Sequence, residues 1–379
     1  MRLVVGTNFD DNLIKEIHKY PVKYLFGSFK KTITGHGRAS FILPDIDEDH
    51  FKEHIDLIHK NNMKFLYVMN SAVLNGNEYS PEFNKNIENE IEKLVSYGVD
   101  GFIAAMPFLI GKIRKEYPDI EISASSFARI STMREIEEYK NLDVNTIILN
   151  EDTSRDFKFL ENANNYVKSN GMDIELITDN SCLFGCPYRR THDIVSSLSS
   201  KNNNERFWFE YPLLFCATDV YNDPKNIIKM RWIRPEDTEM YEDIGIDRFK
   251  IASRTKNTSW ILKSIKAYSD RNYDGNLLDI LSYPQGNAVP GAMAKINGPD
   301  NYSELKNVYI DNKKFPGKWL NFFKYNDCNS MSCEVCGYCD KIAYKTMSIG
   351  SKNIIGRENK NMKIPVNLVQ AFKDGNDIR

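Results

Sequence analysis

Short apolar, β-branched runs alternate with longer amphipathic runs along the first 270 residues. The short runs fall at residues 3–5, 24–26, 65–69, 101–105, 121–124, 146–149, 174–178 and 249–252, each of strand length. Between them, residues 49–62, 80–97, 132–141 and 155–169 repeat apolar positions three and four apart, one face of a helix. Pro81 suits a first helical turn, and Gly98 and Gly171 suit helix ends. Strand-then-helix units of this kind predict an α/β fold with a parallel sheet. Eight of them match a (β/α)8 TIM-like barrel, with an open doubly wound sheet as the alternative.

The pattern changes after residue 272. Residues 282–300 are rich in Gly and Pro and read as an irregular connection. An aromatic run at 319–325 and a knot of cysteines follow. The expected organisation is a barrel over 1–272 and a small cysteine-rich C-terminal extension over 273–379. In a barrel, chemistry belongs at the C-terminal ends of the strands. Those ends carry Asn8, Asn70, Ser125, Ser126, Asn150, Asp179, Asn180 and Arg254. Asn, Ser and Asp also cap helices and make turns at such places.

Composition narrows the setting. The chain of 379 residues is 41% apolar and 27% charged, with a formal net charge of −2. That balance gives no global attraction to nucleic acid. No apolar run reaches the length of a membrane span, and the N-terminus reads as a buried strand rather than a signal peptide. The expectation is a cytoplasmic protein, where thiols stay reduced. Its seven cysteines are Cys182, Cys186, Cys216, Cys328, Cys333, Cys336 and Cys339, with none in the first 181 residues. Such clustering points to metal binding.

In the tail, Cys333, Cys336 and Cys339 follow one another at spacings of three, five residues beyond Cys328. Structural zinc sites keep two Cys-x-x-Cys pairs apart, whereas overlapping pairs are closer to the iron–sulfur pattern. Iron–sulfur is therefore the favoured cofactor, with zinc in the tail as the lesser alternative. Cys182 and Cys186 directly follow the seventh predicted strand, and Gly185 and Pro187 fit a tight turn into a helix. Helix N-terminal amides favour thiolates there. Cys216 offers a third thiolate, leaving the fourth position to a tail cysteine or a small ligand. His50, Glu53 and His54 match an inverted zinc-peptidase spacing, but acidic neighbours make them read as a solvated helix face. Arg38, Arg129, Arg155, Arg189, Arg190, Arg234 and Arg254 fall near the predicted rim, which suggests an anionic substrate.

Three segments then resemble the U32 (collagenase-like) peptidase family: CLFGCPYRRTH at 182–192, WIRPED at 232–237, and GIDRFKIASRTKNTSWILKSIKAY at 245–268. GHGRASFILP at 35–44, LYVMNS at 66–71, EISASSFARI at 121–130, ILNEDTSRDF at 148–157, DGNLLDIL at 274–281 and the cysteine knuckle at 328–339 fit it too. The resemblance implies kinship with oxygen-independent hydroxylation factors acting on ubiquinone precursors, tRNA and rRNA. Several of these bind a [4Fe-4S] cluster through four cysteines and use prephenate as oxygen donor. Carried over, Cys182, Cys186 and Cys216 become barrel cluster ligands, with His192 a further candidate for the fourth place. His192, Arg254 and Asn180 are the expected catalytic residues. Arg38, Asn70, Asn150, Arg155 and Arg189 are expected to bind an anionic small molecule. A partner protein of the same family is a further expectation. The alternatives are an iron–sulfur sulfur-transfer enzyme and a metal-dependent peptidase.

Overall fold

The computed structural model describes residues 1–38, 42–201, 211–252, 254–283 and 303–355, together with 357 and 360. Most of the expected irregular connection, and the end of the C-terminal tail, lie outside the described residues. Eight strands form a closed barrel: β1 (Arg2–Gly6), β2 (Val22–Gly27), β3 (Lys64–Met69), β4 (Gly101–Ala104), β5 (Glu121–Ala124), β6 (Thr146–Ile148), β7 (Asp173–Ile177) and β8 (Arg248–Ile251). Each pairs in parallel with the next, and β8 returns to β1 through Arg2 beside Arg248 and Val5 beside Ile251. The open-sheet alternative is thereby excluded.

Both faces of these strands are covered, so their apolar residues run nearly uninterrupted. Leu3, Val5, Leu25, Phe65 and Tyr67 pack outward against the helices. Val4, Phe26, Leu66, Val68, Ile103, Ile148 and Ile177 fill the interior. The covering helices start where side chains satisfy their free amides. Asp47 accepts from His50 N before α1 (Glu48–Lys60), and Ser80 accepts from Phe83 N before α2 (Pro81–Ser96). Thr132 and Glu135 form a reciprocal capping box for α3 (Met133–Asn141). Caps of this kind contribute about 1 kcal/mol each.

Two helices interrupt the repeat after β7: α4 (Arg189–Lys201) and α5 (Tyr211–Asn222). The C-terminal region adds a small antiparallel sheet of β9 (Val308–Ile310), β10 (Met347–Ile349) and β11 (Lys352–Asn353). Trp319 anchors it to the barrel, its ring 5.8 Å from Trp232 and its indole N–H donating to Asp237 at 2.8 Å. No helix among the described residues is long and apolar enough to cross a membrane.

Candidate functional site

At the C-terminal ends of the strands lies an open cavity of about 120 Å³. Phe26, Val68, Ile103, Ile148 and Ile177 form its apolar floor, and Arg38, Arg129, Arg189, Lys250 and Arg254 stand around its walls. Lys250 is held from below by Glu175 at 2.9 Å.

Arg254 follows β8 and lies against β1, where only glycine fits: a Cβ on Gly6 would sit 2.8 Å from Arg254 Cβ. Arg254 is 4% exposed and donates to Ser28 Oγ at 2.9 Å and His36 Nδ1 at 3.3 Å. Burial and the neighbouring Arg254 push the His36 pKa down to about 3, so the imidazole is neutral. It accepts at Nδ1 and donates from Nε2 to the Lys30 carbonyl at 3.3 Å. Burial, and then repulsion from Arg38, lower the Arg254 pKa to about 9. Among the described residues, no carboxylate forms an ion pair with Arg254 or Arg38. Asn70 steadies the segment carrying Arg38, accepting from Gly37 N at 2.8 Å and donating to Ser125 Oγ at 3.2 Å.

Opposite, the charges are shared. Arg129 donates to both Asp193 oxygens, at 2.6 and 2.5 Å, and to Glu151 at 2.6 Å. Arg189 donates to Glu151 and Asp152, each at 3.1 Å. Burial raises the Glu151 carboxyl, but Arg129 and Arg189 outweigh it and hold the pKa below the usual value. Asp193 has Arg129 and, more weakly, His192, but burial with the nearby Glu151 pushes it up to about 6. Two carboxyls whose surroundings drive their pKa values apart are suited to different roles in proton transfer.

Among the described residues the cysteines form no disulfide, and they gather in two groups. Cys182 lines the rim cavity beside Asn180, whose side chain accepts from Cys182 N at 2.9 Å. Cys216, on α5, is pushed well above the ordinary thiol range by burial and by its neighbours Cys182 and Cys186. The other group, Cys328, Cys333, Cys336 and Cys339, lines a separate pocket with Arg231 and Phe184. Phe184 belongs to the loop between Cys182 and Cys186, so one loop touches both places. The chemistry of each donor set suits a thiophilic metal or cluster: three thiols beside cationic Arg189, and four beside Arg231.

Of the residues expected at the site, His192, Arg254, Asn180, Arg38, Asn70, Arg189 and Cys182 line the rim cavity. Asn150 does not: it caps the turn at Glu151–Arg155, accepting from Asp152 N at 3.2 Å. Arg155 does not either, being buried outside the barrel between Trp232 and Trp319, 4.9 and 4.7 Å from their rings. Arg234 pairs with Asp237 and Arg190 is exposed, so neither faces the cavity. The solvated-face reading holds for Glu53, which is exposed, and for half-exposed His50, but is corrected for His54. His54 is fully buried, bonded to Thr7 Oγ1 at 2.9 Å and Asp11 at 2.6 Å. Asp193, Glu151 and His36 were missed. The one local signal for Asp193 is its place directly after His192, four residues beyond Arg189 on the same helix.

A closed (β/α)8 barrel with a polar, charged cavity at the strand C-terminal ends has the architecture of a barrel enzyme. The chain belongs to peptidase family U32, whose model matches residues 38–275. An uncharacterized protease of Methanocaldococcus jannaschii is 24% identical over 344 residues, covering 89% of this chain and 94% of that protein. The structure of a U32 peptidase aligns with 66% of this chain and 92% of its own length, at 15% identity and a TM-score of 0.49. A conserved Enterococcus faecalis protein of unknown function aligns with 71% of this chain and 65% of its own, at 13% identity and a TM-score of 0.34.

Proposed function

We propose that the chain is an iron–sulfur enzyme that binds a small carboxylate in the rim cavity and uses it in oxygen-independent hydroxylation. The observation that carries this reading is Arg254, a buried guanidinium beside Arg38 with no carboxylate partner among the described residues. Burying a cation without a counterion is costly, so a site that does so is built for an anion that arrives later.

Cys182, Cys186 and Cys216 would hold the cluster, which would supply one-electron chemistry and an open iron position when bound. The protein's own groups do the rest. Arg254 and Arg38 grip the carboxylate, and the floor of Phe26, Val68 and Ile103 takes an apolar body and excludes water. Asp193, titrating near neutrality, holds or releases a proton at its carboxyl, while Arg129 fixes its orientation through both oxygens. His192 stands beside it on the cavity wall. Prephenate, the donor implied by the resemblance, offers both carboxylates and an apolar ring.

Calorimetric titration of the anaerobically purified protein with prephenate tests this reading. Arg254→Gln should weaken binding about a hundredfold, or roughly 2.8 kcal/mol. Equal affinity in the wild type and the variant would overturn it.

A metal-dependent peptidase is the second reading, favoured by Asp11, His50 and His54, whose ligand atoms lie within 4.8 Å of one another. Against it, both ring nitrogens of His54 are committed to Asp11 and Thr7, and the group does not line the rim cavity. Metal-stimulated peptide cleavage abolished by His50→Ala would establish that reading instead.

A further inference from the structure

We propose that Cys328, Cys333, Cys336 and Cys339 bind a four-iron cluster of their own, with Arg155 and Arg231 as its charge-compensating residues. This goes beyond the function proposed above, which needs only the rim.

The four cysteines converge on one pocket, walled by Phe184, Phe322, Phe323 and Tyr338. Cys333–Cys336 is a single helical turn, and Gly337 at φ +59° reverses the chain into the helix Tyr338–Thr346, which carries Cys339. The left-handed conformation at Gly337 lets three cysteines spaced by three face the same side.

Beside this pocket lie two buried arginines whose hydrogen bonding is incomplete. Arg155 is 3% exposed and donates through Nη1 to the Ile228 carbonyl at 2.8 Å, while Nε and Nη2 find no partner. Arg231 is also 3% exposed, lies 3.6 Å over the Phe184 ring and leaves Nε unpaired. Aromatic faces explain how cations are tolerated here, yet they do not satisfy N–H donors. Among the described residues no carboxylate forms an ion pair with Arg155 or Arg231, although Asp152, Asp156 and Asp327 line a small pocket with both. Asp237 is engaged by Arg234 at 2.8 and 2.7 Å, and Asp340 lies 3.5 Å from Lys229. Two buried positive charges therefore face four thiols. Four thiolates on a doubly positive cubane leave two negative charges, opposite in sign to these guanidinium groups.

Zinc bound by four thiolates would carry the same charge, so spacing decides between them. Structural zinc sites keep two Cys-x-x-Cys pairs apart, whereas Cys333, Cys336 and Cys339 form overlapping pairs. A cubane, which takes one thiolate at each of four corners, suits the overlapping set.

The test is anaerobic iron, sulfide and zinc analysis with potentiometric electron paramagnetic resonance. It compares the wild type, the Cys333→Ser/Cys336→Ser and Cys182→Ala/Cys186→Ala pairs, Arg155→Met and Arg155→Lys. The tail pair should lose about four irons and one reducible signal while prephenate still binds at the rim. Loss of prephenate binding in Arg254→Gln would leave this count unchanged, so the two proposals fail separately. Arg155→Met should keep its iron but make the tail signal about tenfold harder to reduce, ~59 mV for one electron, with partial recovery in Arg155→Lys. The arginine arms remain readable if the cysteine pair does not fold. Zinc in place of iron, an unchanged iron count in the tail pair, loss of all iron in that pair when folded, or an unmoved potential in Arg155→Met would each overturn the proposal.

Discussion

At the lower end of the barrel, Glu175 is fully buried and accepts from Arg248 at 2.8 Å and Lys250 at 2.9 Å. Arg248 reaches on to Glu121, and Arg2 is clasped by Asp173 and Asp247. Every cation there has a carboxylate. At the upper end Arg254 is as deeply buried, but its partners are the Ser28 hydroxyl and a neutral imidazole. The same residue type thus serves two purposes. Compensated charges lock strands together, while an uncompensated one keeps its electrostatic attraction for a ligand, which fits the division of labour between the two faces of such barrels.

The strongest challenge to that contrast is Glu175→Leu. It leaves Arg248 and Lys250 buried without their common partner and should cost about 3–5 kcal/mol in urea unfolding. A loss below about 1 kcal/mol would mean that the lower network relaxes freely and is not structural. Arg254→Leu should behave in the opposite manner. Stability should hold or rise, because an unpaired buried charge disappears, while prephenate affinity falls about a hundredfold. A stability loss as large as that of Glu175→Leu would make Arg254 a structural residue and erase the contrast. Gly6→Ala should be milder, since the chain after β8 must shift by tenths of an ångström to admit a methyl group. About a tenfold weakening of prephenate binding is expected, read by the same calorimetry.

Much of this was legible in the order of residues, for identifiable reasons. All eight strands could be placed because doubly covered strands are unbroken apolar runs, as in Phe65 to Met69. Their ends pointed to Arg254 and Cys182. Arg155 misled because position along the chain does not give direction. It ends the 3₁₀ turn Glu151–Arg155, where each residue rotates by about 120°. Glu151 therefore faces the cavity and Arg155, four residues on, faces the tail. His54 misled because its neighbours in sequence are acidic, while those that bury it, Thr7 and Phe9, come from the preceding unit. Asp193 was hidden for the same reason: its character depends on Arg129 and Glu151, brought from two other strand ends.

The finest distinction between the two ends is the sign of their response to pH. Burial would raise Asp173 at the lower end, but hydrogen bonds from Arg2 and Lys168 outweigh it and bring the carboxyl from 3.8 to about 2. Folding therefore favours its ionised form. Its contribution is present above pH 3.8 and is lost as the pH falls through about 2. Asp193 at the upper end is raised from 3.8 to about 6 by burial, with Arg129 opposing and Glu151 reinforcing, and His192 also facing it. Folding favours its protonated form, so that contribution is complete below pH 3.8 and is lost as the pH rises through about 6. Unfolding free energies measured from about pH 1.5 to about pH 8 should separate the two groups. Asp193→Asn should flatten the decline between about pH 4 and 6 and leave the acid limb alone. Asp173→Asn should flatten the acid limb only. If Asp193→Asn leaves the slope unchanged, Arg129 is holding Asp193 ionised as firmly as Arg2 holds Asp173. The difference between the two ends would then rest on Arg254, and the proton-holding role would pass to His192.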